Sequence, residues 1–172
     1  MKTLYLMCGN SFSGKSTLAE AIAGKRSCAL ISLDDINRER GLGFGGDGIA
    51  VEEWERTHQI ALARLEEQMP SGRDLVLDDT NCFRWLRDRY RSAAGRHGYR
   101  TVVIYLDIPL PILEERRRKN ETTRERRGVK EPIFADLTRQ FEAPAPDEPT
   151  LAFAPTDTIE EWIEAHLKND SL

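Results

Sequence analysis

Cysteine is scarce. Cys8, Cys28 and Cys82 make an odd number, none has the spacing of a metal site, and each lies in or beside an apolar segment. This excludes a disulfide framework and a zinc site and predicts buried free thiols in a reducing compartment. Long hydrophobic runs are lacking too. None approaches the roughly 18 apolar residues of a membrane-crossing helix, and the apolar stretch at Met1–Met7 is too short for a signal peptide. The expected location is the cytoplasm, with no membrane partner. Nor does one sign of charge dominate: 25 Lys and Arg face 29 Asp and Glu, a net charge of −4. No global field draws in nucleic acid, although a local basic groove stays open as an alternative. Repeats and dividing linkers are also missing. The 172 residues suit one domain, 1–172, built around one sizeable core.

What the chain does have is alternation. Leu4–Cys8, Ala29–Leu33, Leu75–Leu77, Thr101–Leu106 and Leu151–Phe153 are short apolar runs of strand length, mostly without polar alternation. Strands apolar on both faces suit a parallel sheet covered by helices on each side. Between them, Val51, Trp54, His58, Ala61, Leu62, Leu65 and Met69 recur at helical steps, as do Phe83, Leu86, Tyr90, Ala93 and His97. A last helix is predicted to be capped by Asp157, with Ile159, Trp162, Ile163 and His166 or Leu167 as its stripe. Gly41–Gly48 and Ala143–Pro149 read as irregular. The pattern predicts one doubly wound α/β domain.

The most specific segment is Gly9-Asn10-Ser11-Phe12-Ser13-Gly14-Lys15-Ser16, followed by Thr17. It has Walker A spacing, a strand before it and a helix after it from Lys15 to about Ala23. Glycines let such a loop curl so that successive N–H groups point at phosphate oxygens, and the helix adds its positive dipole end. Lys15 is placed to reach the β- and γ-phosphates, and Ser16 to ligate Mg²⁺. A nucleoside triphosphate, ATP by preference, and Mg²⁺ are the expected cofactors. The loop alone does not separate kinase from GTPase or motor.

Two acidic strand ends narrow the choice. Ser32-Leu33-Asp34-Asp35 closes the second strand, and in an open parallel sheet ligands sit beyond the carboxyl ends of the strands. Asp34 is the candidate base for an attacking hydroxyl, and Asp35 the candidate cap of a helix beginning near Ile36. Both residues also read as caps. Leu77-Asp78-Asp79-Thr80-Asn81 is Walker B-like: one acid, Asp79 or Asp78, can hold the metal through water, while Thr80 and Asn81 can bond acceptor or phosphate. Asn81 can equally cap the helix that follows.

Between Leu113 and Lys130 arginines crowd together among glutamates. Arginines closing over a transferring phosphoryl group stabilise its equatorial oxygens, and a mobile lid is where such groups sit. Arg116 and Arg124 are the first candidates for phosphate contact, then Arg126 and Arg127. Arg117 and Arg118 read as a solvated face with Glu–Arg pairs. His58, His97 and His166 read as packing residues, as do Trp54, Trp85 and Trp162.

The loop at 9–16, the two acidic strand ends, the lid and the stretch Phe141-Glu142-Ala143-Pro144 together resemble the small AAA-type P-loop kinases. These are related to polynucleotide 5′-hydroxyl kinases, chloramphenicol phosphotransferase and zeta toxins. The resemblance implies Asp34 as the hydroxyl-activating aspartate and Asp79 as an acid near acceptor and metal. Polynucleotide kinases tend to have an arginine three residues after the base; here that place is Asn37, and Arg38 follows it. A one-residue shift on a helix turns a side chain by roughly 100°, which weakens the nucleic-acid reading and leaves Arg38 as an acceptor candidate. The expectation is thus a parallel sheet of about five strands in the order 2-3-1-4-5, an acceptor-side insertion at about 41–69 and a lid at about 113–131. The expected activity is transfer from ATP to a hydroxyl of a small molecule such as a nucleoside, sugar or antibiotic. A polynucleotide 5′-hydroxyl acceptor is the alternative. A nucleotide-binding switch with slow hydrolysis is the rival of another class.

Overall fold

Strand β1 (Thr3–Cys8) is buried along its whole length. Its side chains divide by the two-residue period of a strand: Leu4 and Leu6 join one apolar cluster, Tyr5 and Met7 the other. Only a strand covered on both faces can do this, and that requires parallel neighbours with helical crossovers. The computed structural model describes residues 2–43 and 48–167. Phe44 and Asp47, candidates for folding over a substrate, lie outside the described residues.

Around β1 the order is β2-β3-β1-β4-β5, all parallel, with β2 at Ala29–Ser32, β3 at Leu75–Asp78, β4 at Arg100–Leu106 and β5 at Thr150–Phe153. This is the expected order. The crossovers are α1 (Lys15–Arg26), α2 (Leu33–Glu39), α3 (Val51–Gln68), α4 (Arg84–Arg96), α5 (Leu110–Thr123) and α6 (Glu131–Gln140), and α7 (Ile159–His166) follows the last strand. One face of the sheet packs α1, α5, α6 and α7 through Leu18, Ile22, Leu113, Phe134 and Trp162. The other packs α2, α3 and α4 through Ile36, Ala61, Leu65, Leu86 and Tyr90. The segment expected to be the insertion holds α3, and the one expected to be the lid holds α5 and the chain leading into α6. No helix among the described residues is long and apolar enough to cross a membrane.

Several expectations are corrected at helix ends. Asp35 does not cap α2: Ser32 does, its hydroxyl accepting from the Asp35 N–H at 3.3 Å, so the helix begins at Leu33 and Asp34 lies in its first turn. The N-cap of α4 is Phe83, not Asn81. The N-cap of α7 is Thr158, while Asp157 accepts from the Ala154 N–H. Helix α1 continues to Arg26, where Ser27 turns left-handed and closes onto the Ala23 carbonyl. His97 is exposed at the end of α4 rather than on its stripe. His58 is buried, and His166 stacks on Trp162.

The strap from the lid to β5 is held by a charge that periodicity placed on no apolar stripe. Arg87 on α4 is fully buried and grips Glu148 with two bonds of 2.9 and 2.8 Å. It also donates to the carbonyls of Asn81 and Glu142, each at 2.9 Å. Arg91 adds a second guanidinium to Glu148. Hydrogen bonding to Arg87 holds the Glu148 carboxyl at about 2, below its ordinary 4.5. A depressed carboxyl stabilises the fold above its ordinary value, and that contribution is lost as pH falls from there through the folded value. Thermal melts should therefore show an acid-side loss between these two values, and Glu148→Gln should blunt it. Arg87→Leu leaves Glu148 as a buried, poorly compensated charge and should cost about 3–5 kcal/mol in urea denaturation.

Candidate active site

The loop between β1 and α1 is shaped by close approach. A side chain at Gly9 would place its Cβ 3.0 Å from the Ser13 hydroxyl and 3.2 Å from Leu106, so only glycine lets the chain turn there. Gly14 enters α1 in the left-handed region, with φ of 99°. Phe12 also has positive φ, and its ring is buried against Phe134 of α6 at 6.2 Å. Asn10 and Ser11 form the partly exposed rim, Ser13 is buried, and Ser16 and Thr17 are exposed on the first turn of α1. The Lys15 ammonium donates to the Asn10 carbonyl at 2.8 Å. Enclosure pushes its pKa down, and Asp78 and Asp79 oppose that shift.

Asp78 ends β3 and is buried. Burial raises its pKa, while a hydrogen bond to the Ser16 hydroxyl and the charge of Lys15 pull it back. The acid that meets Ser16 is therefore Asp78. Asp79 instead accepts from the Asn81 N–H at 3.1 Å and from the Thr80 hydroxyl at 3.4 Å, forming a tight local turn. Thr80 is half-buried, and its carbonyl accepts from the Gly9 N–H. Asn81, a candidate for acceptor contact, serves the scaffold: it is fully buried and its amide donates to the Met7 carbonyl at 2.7 Å.

Asp34 lies across from this pair at the C-terminal end of β2. It is exposed, and its charge acts on both Asp78 and Arg126. Arg38 points elsewhere, with its guanidinium exposed and paired with Asp35 at 2.7 Å. Asn37 is buried and accepts from the Thr57 hydroxyl of α3 at 2.5 Å, which joins the base-bearing helix to the insertion.

The lid arginines divide sharply. Arg126 is exposed overall, but its guanidinium lies 4.6 Å from the centre of the Phe12 ring, where Asp34 and Asp78 oppose the lowering of its pKa by desolvation. Buried Asn120 fixes it there, bonding both the N–H and the carbonyl of residue 126. Arg116 takes a different place from the one expected: it donates to the Phe12 and Ser13 carbonyls at 3.0 and 3.2 Å, outside the loop. Arg124 is the left-handed C-cap of α5 and is exposed, as is Arg127. A cavity of about 400 Å³ opens between loop and lid, lined by Phe12, Gly14, Arg116, Asn120 and Arg126 among others. A larger hollow of about 580 Å³ lies along β2 at the sheet edge and contains no residue of the loop. Asn120 and Phe134 escaped sequence reading, since neither stands in a motif.

Residues 4–144 match the family described as AAA domain, AAA_33. No curated protein matches the chain. Among solved structures, a sugar kinase from Janibacter sp. HTCC2649 is 18% identical over 97% of this chain and 92% of its own, with a TM-score of 0.72. Kti12 from Chaetomium thermophilum, solved with ADP-AlF3, is 20% identical over 94% of each chain, with a TM-score of 0.70. The APS kinase of Mycobacterium tuberculosis, solved with AMPPNP and APS, is 18% identical over 95% of this chain and 94% of its own, with a TM-score of 0.66. At such identities these likenesses establish the fold alone. The loop, the strand order and the matched span agree: the chain belongs to the AAA domain family AAA_33 and has the fold of the small P-loop kinases.

Proposed function

We propose that this protein is an ATP-dependent phosphotransferase that moves the γ-phosphoryl group onto a hydroxyl of a small molecule. One observation carries the reading: Asp34, Asp78, Lys15 and Arg126 influence one another electrostatically at the mouth of the loop, beyond the carboxyl ends of β1, β2 and β3. A switch needs no acid on the acceptor side and no arginine folded down onto the loop. The fold of the solved kinases supports the same reading.

The residues fit the two cofactors. Loop amides and the Lys15 ammonium suit the phosphates, with the lid cavity beside them for the nucleoside. Ser16 and Asp78 offer two hard oxygen donors side by side, as magnesium prefers. No group of three or more His, Cys, Asp or Glu among the described residues could hold a metal unaided, so this ion would be shared with phosphate oxygens and water. When bound, it neutralises charge on the β- and γ-oxygens.

Transfer is in line. Asp34 accepts the proton of the acceptor hydroxyl as its oxygen forms the new bond to the γ-phosphorus. The bond from that phosphorus to the β,γ-bridging oxygen breaks, and ADP carries the electron pair away. Lys15 and Arg126 hold the charge that spreads over the equatorial oxygens. Asp79 and Thr80 stand at the acceptor side of the loop, and Arg124 and Arg127 remain with the mobile lid.

Asp34→Asn should lower the transfer rate by about 10²–10⁴ while leaving ATP affinity unchanged, measured by γ-phosphate labelling and equilibrium nucleotide binding. Normal transfer by that variant would remove Asp34 from the mechanism. Asp78→Asn should raise the magnesium concentration needed for half-maximal rate about tenfold or more, because one carboxylate donor is lost. An unchanged magnesium titration would show that the ion is held elsewhere.

A further inference from the structure

The acceptor face differs in character from the donor face. On the α2–α3–α4 side a chain of rings runs outward from the acidic turn. Tyr90 and His58 lie next to Asp79 in electrostatic terms and hydrogen-bond to each other at 2.7 Å. Burial pushes the His58 pKa down, so the ring is neutral. Trp54 follows at 5.9 Å from His58, one turn earlier on α3 and only half-buried. Phe83 and Trp85, just beyond the Asp79–Asn81 turn, stack at 6.0 Å with planes 13° apart. Trp85 is 57% exposed, although an isolated surface tryptophan gains nothing from water. Trp54 and Phe83 pack on the same apolar cluster.

Charge on this side works against anions. Along α2, α3 and α4, with Arg40 between the first two, nine acids balance nine arginines and there is no lysine. The arginines already face acids: Arg38 with Asp35, Arg40 with Glu53, and Arg56 with Glu53 at 3.6 Å. On α4, Arg89 takes both oxygens of Glu55, and Arg84 both oxygens of Asp147. A phosphorylated or sulfated acceptor would have to break such pairs to gain a partner.

We infer that the acceptor is an uncharged alcohol carrying a planar ring, of the nucleoside or aryl-alcohol class, stacked on the exposed Trp85 beside Phe83 with its hydroxyl at Asp34. This rests on the phosphotransferase reading and narrows it, setting aside polynucleotides, sugar phosphates and ring-free sugars. Stacking on an exposed aromatic tolerates different rings and fixes their plane, while the acid supplies the orientation.

The test uses the full chain with γ-labelled ATP and three sets of probes. These are nucleosides and benzyl alcohols; the matching nucleoside 3′-phosphates, which keep the free 5′-hydroxyl but add charge; and methyl riboside, which keeps the hydroxyl without the ring. Nucleosides or aryl alcohols should be phosphorylated with kcat/KM at least about tenfold above both other sets. Trp85→Ala should raise KM for the ring-bearing acceptor about tenfold, with kcat and the ATP dissociation constant little changed. Preference for the 3′-phosphates or for methyl riboside would overturn the inference and leave the phosphotransferase standing, as would an unchanged KM in Trp85→Ala. Label found only as inorganic phosphate, or remaining wholly on ATP, would overturn the phosphotransferase reading itself.

Discussion

A loop can point its amides inward only if something holds its carbonyls outward. In this protein that task is shared between a distant arginine and the loop's own lysine. Arg116 of the lid helix takes the Phe12 and Ser13 carbonyls, and the Lys15 ammonium takes that of Asn10. The Gly9 amide, in turn, anchors the loop to the Thr80 carbonyl. Each bond satisfies a group that would otherwise compete for the curvature, so the remaining amides of the cradle stay directed at its centre. The cost falls on Lys15, whose enclosed charge is tolerated because Asp78 and Asp79 lie close by. The loop is thus held in shape by the protein's own contacts, and under the proposed function a triphosphate with its cation would substitute for some of them.

Under the proposed function, the sheet separates the two halves of the reaction. Because β1 is apolar on both faces, it can support a donor side built on α1, α5 and α6 and an acceptor side built on α2, α3 and α4. The two meet at the carboxyl edge, where Asp34 lies in the first turn of α2 just beyond β2 and Asp78 ends the neighbouring β3. Arg126 reaches that edge from the lid, steered by Asn120 and resting on Phe12. Arg87 connects the halves from behind by bonding Asn81 of the acidic turn and Glu142 of the strap that follows the lid.

Strand positions, the strand–helix alternation and the loop were legible in the sequence because each follows from a local rule: apolar runs of strand length, glycine spacing, and an acid at a strand end. The strand order was expected only with the family resemblance. The helix caps were less legible. Ser32, Phe83 and Thr158 each displaced a neighbouring Asp or Asn as cap, since the choice depends on where the backbone leaves the strand and not on residue preference alone. The lid was the least legible part. Six arginines share one composition, and only the fold determines that Arg116 grips carbonyls while Arg126 faces the acids. Arg87 and Glu148 were invisible for the same reason: a buried pair 61 residues apart leaves no periodic trace.

Asn37 and Asn81 illustrate how a motif can mislead about roles. Asn81 follows the acidic pair and reads as an acceptor contact, while Asn37 stands where polynucleotide kinases tend to have an arginine. Both are fully buried, Asn37 against Thr57 and Asn81 against the Met7 carbonyl. Their amides fix the rotation of α2 and the path of the turn after β3, and so set the direction in which Asp34 and Asp79 face. A short helix such as α2 has too few apolar contacts to define its own rotation, and a directional hydrogen bond supplies what packing cannot. That division of labour also explains why Arg38 is absent from the cleft. With Asn37 turned inward, the next position along the helix is carried about 100° around the axis, toward Asp35 and solvent.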